Sequence, residues 1–215
     1  FAEMLVRSAK DETHQRYARN IIQAATRSAD LTKQLLAFAR KGKYQSIPVD
    51  IHAMIKDVCG LLEHSLDKRV HLAIRLDAPV HFVIGDPAQL PHAFLNLGLN
   101  ANDAMPNGGE LRYQTRAIHL DEVQCRVISA ELAPGEYLQI EVGDTGCGMT
   151  EEVKKHLFTP FFTTKEVGKG TGLGLPSVYG MVKSHQGAIM VHSEVGKGTT
   201  FTVYLPLAPA ARPIA

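Results

Sequence analysis

Apolar and polar positions along this chain follow two rhythms that change near residue 45. From about Glu12 to Arg40 there is no Gly or Pro, and apolar or small residues recur at Ile22, Ala25, Ala29, Thr32, Leu36 and Ala39. That three-and-four spacing predicts a long helix with a seam suited to a coiled coil or bundle. A second row, Ile21, Ser28, Leu31, Leu35 and Phe38, widens the stripe, so more than one packing neighbour is expected. A surface helix is the plainer alternative, but one so long and isolated needs a partner to bury its stripe. Residues 1–9 read as the tail of a partner helix, and residues 41–48 as a polar linker.

Beyond the linker, Ile51, Met54, Ile55, Val58, Leu61 and Leu62 mark an amphipathic helix. Strand-like alternation follows at Val70, Leu72, Ile74 and Leu76, and again over residues 111–118, 137–142, 188–192 and 200–205. Helical patterns stand between them at 87–105, 151–158 and 176–185. Interleaved strands and helices, with neighbouring strands able to pair antiparallel, predict an α+β fold: a two-layer sandwich whose mixed sheet has helices on one face. The expected organisation is a partial helical hairpin over 1–45, one main domain over 46–208 and a short tail over 209–215.

Composition narrows the function classes. Lys and Arg number 23 against 22 Asp and Glu, so the net charge of +1 supplies no field to attract nucleic acid or an anionic membrane. Any phosphate site has to be local. The three cysteines, Cys59, Cys125 and Cys147, fit no zinc spacing or disulfide framework, which points to a reducing compartment, by default the cytoplasm. No run approaches the ~20 apolar residues of a membrane span. The start at Phe1, inside a helical pattern, raises the expectation of a longer parent whose missing part could carry an anchor.

Three motifs carry candidate chemistry. In NLGLNANDAM, Asn96, Asn100 and Asp103 are four and three apart and share one helix face, and Pro106 ends the helix. Such a row reads equally as a solvated polar face or as a ligand site; its weakly charged oxygens suit Mg²⁺ riding on nucleotide phosphates. In EVGDTGCGM a strand delivers Asp144 and then turns through Gly146 and Gly148. A carboxylate there can accept from the exocyclic amine of adenine, or simply cap the turn. In GKGTGLGLPSVYGMVKSH, Gly168, Gly170, Gly172 and Gly174 precede a helix begun near Pro176, whose exposed amides can cradle phosphate. It matches neither the Walker loop nor the dinucleotide fingerprint. Between the glycine boxes, FTPFFTTK sets Phe158, Phe161 and Phe162 beside Lys165, an expected aromatic anchor for a movable lid with a lysine in reach of phosphate. GKGTTF at 196–201 reads as a structural turn, with support of the nucleotide pocket as the lesser alternative.

These elements, in this order and spacing over residues 47–206, resemble the Asn, first glycine, phenylalanine and second glycine boxes and the terminal glycine turn of sensor histidine kinases. They look especially like the subgroup with NANDAMP and FTPFFTTK. The resemblance implies a Bergerat-type ATP fold, with ATP and Mg²⁺ as cofactors. It makes Asn100 the metal ligand and catalytic residue with Asn96 assisting, and puts Asp144 on adenine. Asp103, Gly146 and Gly148 would support the base pocket, and Ala104, Met149 and Thr199 would join the nucleotide-binding set. Gly168, Gly170, Thr171, Gly172, Leu173, Gly174 and Leu175 would close over the phosphates, with Phe158 and Lys165 at the lid. The segment TRSADLTKQLLAFAR resembles the second helix of the family's dimerisation and phosphotransfer hairpin, which implies a homodimer and a response-regulator receiver domain as partners. The phosphate-accepting histidine of that hairpin is missing, because His14 in DETHQRY lacks its acidic neighbour and sits at the interhelical turn. Related ATPases place a water-activating Glu one turn before the metal-binding Asn; here that position is Asn96, whose amide cannot take a proton. Phosphotransfer to histidine is therefore expected over hydrolysis, with a stand-alone ATPase or a nucleotide-binding scaffold as the alternatives.

Overall fold

The computed structural model describes residues 11, 13–18, 21–22, 45–165 and 170–209. Packing divides the chain into Phe1–Lys41 and Gly42–Ala215. The hairpin expected over 1–45 and the tail over 209–215 fall almost wholly outside the described residues, as does Gly168. Within the first unit, 13–18 and 21–22 are helical, and His14 is exposed with its ring 3.5 Å from Asp11.

The second unit contains strands β1 (Ile47–Asp50), β2 (Val70–Leu76), β3 (Phe82–Gly85), β4 (Gly109–Leu120), β5 (Gly135–Asp144), β6 (Ala188–Glu194) and β7 (Gly198–Pro206). Its helices are α1 (Ile51–Glu63), α2 (Gln89–Ala104), α3 (Glu122–Ile128), α4 (Glu151–Lys155) and α5 (Gly174–Ser184). Five strands form one sheet in the order β2-β4-β5-β7-β6, with β2 and β4 parallel and the other pairs antiparallel. The sheet is mixed, as the alternation of strands and helices predicts. The short strands β1 and β3 pair with each other, Ile47 opposite Gly85.

Alternation along the central strands divides the two faces. Leu138, Ile140 and Val142 of β5, with Leu111 and Tyr113 of β4 and Val203 and Leu205 of β7, join α1, α2 and α5 in one core. Each fully buried Leu, Ile or Phe there contributes about 1.5–3 kcal/mol. Helix α1 presents Ile51, Ile55, Val58 and Leu62 at helical spacing, and its first turn is capped by Asp50, whose carboxylate accepts from Ala53 N–H at 3.0 Å. The Tyr113 hydroxyl is buried but satisfied, donating to Phe94 O at 2.8 Å. The two ends of α2 and α5 are bolted together through His185. Its Nε2 accepts from Asp86 N–H at 3.0 Å, and its Nδ1 donates to Met181 O at 2.8 Å. Asp86 in turn accepts from Ala88 and Gln89 N–H at the start of α2.

Three elements differ from the sequence reading. Ile47 and Pro48, expected in a linker, begin β1, and β3 lacked any alternation long enough to read. Helix α3 was also missed; it lies on the face of the sheet opposite the other helices, where Leu120, Cys125, Leu132, Tyr137 and Ala188 form a second, small core. The helices thus cover one face fully and one end of the other. A capping box at Asp121 and Gln124 starts α3. Helix α4 stops at Lys155, short of Phe158.

His185 makes stability depend on pH. Burial lowers its pKa below 6.5, outweighing its hydrogen bond to Met181 and the nearby Asp86, both of which raise it. The unfolded chain therefore takes up the proton first, so stability is full above about pH 6.5 and is lost as pH falls towards the folded-state value. His52, lowered by burial and then by His81, adds to the same slope. Urea unfolding at pH 7.5 and 5.0 should show weaker folding at pH 5.0. His185→Gln should cost about 1–3 kcal/mol at pH 7.5 and reduce the difference between the two pH values; an undiminished difference would exclude His185 as its source.

Candidate functional site

Helix α2 buries Leu90, Ala93, Phe94, Leu97 and Ala101 against the core, which leaves Asn96, Asn100 and Asp103 on its other side. The first residue of α5 lies over them: a Cβ at Gly174 would stand 3.7 Å from Asn100 Nδ2 and 4.0 Å from Asn96 Cγ. No side chain caps α5, whose N-terminus begins at this Gly174. Lys165 approaches the same face. Its Nζ donates to Asn100 Oδ1 at 3.2 Å and forms an ion pair with Asp103.

The loops on either side of Lys165 are fastened to each other. Phe161 N–H donates to Gly172 O at 2.9 Å, and both residues have positive φ, 67° and 63°. A Cβ at Gly172 would lie 2.4 Å from Phe161 C, so the close approach requires glycine. Thr171 Oγ1 accepts from Leu173 N–H at 3.4 Å, and Leu175 packs on the core. The three phenylalanines, expected to cluster, are separated. Phe158 packs on Tyr179 with ring centres 5.0 Å apart, Phe162 lies 5.5 Å from His156, and Phe161 is exposed. The aromatic anchor is therefore Phe158 on α5 rather than a three-ring cluster.

At the far end of α2, the turn after β5 fixes Asp144. Its Oδ1 accepts from Gly146 N–H at 2.8 Å and from Thr199 N–H at 3.3 Å. Its Oδ2 has no protein partner among the described residues. Burial raises the carboxyl pKa, and the two backbone donors pull it down in part. Gly146 sits against α2, where a Cβ would come within 2.4 Å of Ala104 O; that same carbonyl accepts from Cys147 N–H at 2.9 Å. Gly148 (φ 66°) passes so close to β6 that a Cβ would lie 2.1 Å from Glu194 O. Met149 N–H donates to Ser193 Oγ at 2.9 Å, and that hydroxyl also meets Gly198 O and Thr199 Oγ1. Ser193 was missed in the sequence, since a serine in a strand has no local signature.

Residues 85–209, more than half of the chain, match the family described as histidine kinase-, DNA gyrase B- and HSP90-like ATPase. The chain belongs to this ATPase family. It is 42% identical over 187 residues to the sensor kinase CckA of Brucella abortus, an alignment covering 87% of this chain and 20% of that protein. The chain spans about a fifth of that relative's length. Two structures share the fold of this ATPase-family chain. One is full-length ShkA in complex with AMPPNP, at 24% identity and a TM-score of 0.72, covering 99% of this chain and 43% of that one. The other is the histidine kinase ThkA in complex with the response regulator TrrA, at 21% identity and a TM-score of 0.70, covering 98% and 56%.

Asp144, Gly146 and Gly148, expected around the base, lie at one turn beside Ala104, Met149 and Thr199 of the expected nucleotide-binding set. Asn96, Asn100, Lys165 and Gly174 meet at the other end, near Gly170, Thr171, Gly172, Leu173 and Leu175. Asp103, expected to support the base, forms an ion pair with Lys165 through its carboxylate. Gly148→Ala should destabilise the domain by about 2–4 kcal/mol, through the left-handed backbone and the collision with β6. Urea unfolding within 0.5 kcal/mol of the parent chain, a change below about RT, would mean that the turn is not clamped.

Proposed function

We propose that this chain is the catalytic region of a sensor histidine kinase, and that it binds Mg-ATP between the Asp144 turn and the Asn100 face of α2. One observation carries the reading. The Asp144 carboxylate is half-buried with Oδ1 held by two backbone N–H groups, while Oδ2 is left to accept from a ligand. The exocyclic amine of adenine can donate to such an oxygen.

The donor set at the other end suits a nucleotide-borne Mg²⁺. Among the described residues no group of three His, Cys, Asp or Glu side chains could hold a metal by itself. Asn100 Oδ1 is already in contact with a cation, the Lys165 ammonium, which stands in for the ion. Asn100 would hold Mg²⁺, with Asn96 assisting, and the ion would neutralise charge on the phosphates. The open amides of α5 and the glycine backbone from Gly170 to Gly174 orient the phosphate chain. Phe158, seated on Tyr179, fixes the loop that carries Lys165.

Transfer then needs alignment more than acid–base chemistry. An imidazole nitrogen outside this chain attacks the γ-phosphorus as the bond to the β,γ-bridging oxygen breaks and ADP departs. Asn96 lies where a water-activating carboxylate would be needed for hydrolysis, and its amide cannot accept that proton. From the phosphohistidine the group passes to an aspartate of a response-regulator receiver domain, the class of partner named for ThkA. The same reading makes the parent a homodimer through its helical segment and places this region in the cytoplasm. Among the described residues no helix is long and apolar enough to cross a membrane.

Asp144→Asn separates the base contact from the fold. The amide keeps an oxygen for Gly146 and Thr199 but turns the other acceptor into a donor. Calorimetric titration should show Mg-ATP affinity at least about tenfold weaker, one charge-assisted hydrogen bond lost. The melting temperature should hold or rise, because the neutral amide escapes the desolvation that burdens the carboxylate. Unchanged affinity would remove Asp144 from the base pocket. With γ-labelled ATP, acid-labile label should appear on an added hairpin helix carrying a histidine and not on this chain; rapid release of free phosphate without protein label would make it an ATPase instead.

A further inference from the structure

The Lys165 ammonium lies on the oxygen assigned to the metal, and a carboxylate keeps it there. Asn100 and Asp103 are three apart on one face of α2, and both contact the same Nζ. An ion pair this exposed, with the lysine side chain 33% and the aspartate 49% accessible, adds little to folding. Its placement is what matters, because the pair reaches across 62 positions of sequence to set a positive charge on a neutral amide oxygen.

The stem of the lysine is confined as well. Thr163 Oγ1 accepts from Lys165 N–H at 3.2 Å, and a Cβ at Gly170 would press within 3.1 Å of Lys165 Cδ. Glycine at that position leaves room for the extended side chain to reach α2. An ammonium and a divalent ion cannot share one amide oxygen closely, since two cations repel strongly where water is partly excluded.

We propose that Asp103 is a positioning residue that holds Lys165 as a built-in counter-ion on Asn100. The polyphosphate meets a positive charge before any metal arrives, and the metal has to displace the ammonium from Asn100. The proposal rests on the Mg-ATP reading above and gives Asp103 a role other than support of the base.

The test is ATP affinity measured by calorimetry in EDTA and in excess Mg²⁺ for the parent chain, Lys165→Met, Asp103→Asn and the double variant. In Lys165→Met, metal-free affinity should fall about tenfold, the loss of one charge-assisted contact. The factor by which Mg²⁺ strengthens binding should rise at least about threefold, because the competitor is gone. Equal losses with and without Mg²⁺ would reduce Lys165 to an ordinary phosphate contact and overturn the counter-ion assignment. In the Asp103→Asn background the metal-free effect of Lys165→Met should shrink at least about threefold; an undiminished effect would overturn the positioning role of Asp103. If the parent chain bound no ATP in either condition, the Mg-ATP reading itself would fall, and this assignment with it.

Discussion

The close approach of α2 to the sheet at Gly98 sets where every polar group on that helix stands. A Cβ at Gly98 would lie 2.5 Å from both the Tyr113 hydroxyl and Leu62 Cδ1, so only glycine lets the helix settle this deeply. With that side buried, the helical repeat leaves Asn96, Asn100 and Asp103 no direction but outward. The helix is then fixed at both ends, by the Asp86–His185 contact at its start and by Ala104 O on Cys147 N–H at its finish. Sliding the start would break a buried hydrogen bond, and an orphaned buried donor costs about 1–3 kcal/mol. The amide face is therefore rigid before any ligand arrives, which is what electrostatic preorganisation requires.

The two ends of the site solve opposite electrostatic problems. Asp144 is a carboxylate in a poorly hydrated turn, kept usable by two backbone donors. Near Lys165 stand an ammonium shared between Asn100 and Asp103 and the uncapped start of α5. A ligand with a donor at one end and anionic groups at the other is matched by an acceptor at Asp144 and a cation at Lys165.

Much of this was legible in the sequence because the relevant signals are local. The four-and-three spacing of Asn96, Asn100 and Asp103 is a helical period, and Asp144 ends an alternating strand. What could not be read depends on partners distant in the chain. Strands β1 and β3 have four residues each and exist by pairing with one another. Helix α3 buries only Cys125, so its amphipathic signal was too weak to announce which face it covers. The phenylalanines take separate partners, Tyr179 and His156, and Phe161 has a positive φ that no composition rule marks. Nor does any spacing rule join Lys165 to Asp103, or Ser193 to Met149.

The Phe161–Gly172 hydrogen bond has a consequence for how this region can vary. It ties the two ends of the segment 162–171 together, so the core and α5 see a closed junction whatever lies between. Lengthening a loop with fixed ends costs slowly, about 0.6 kcal/mol for each doubling. Segments of quite different length and composition can thus be hung on the same junction, while Gly174 keeps its place over Asn100. Diversity in the intervening segment is in this way uncoupled from the precision of the junction and of α5.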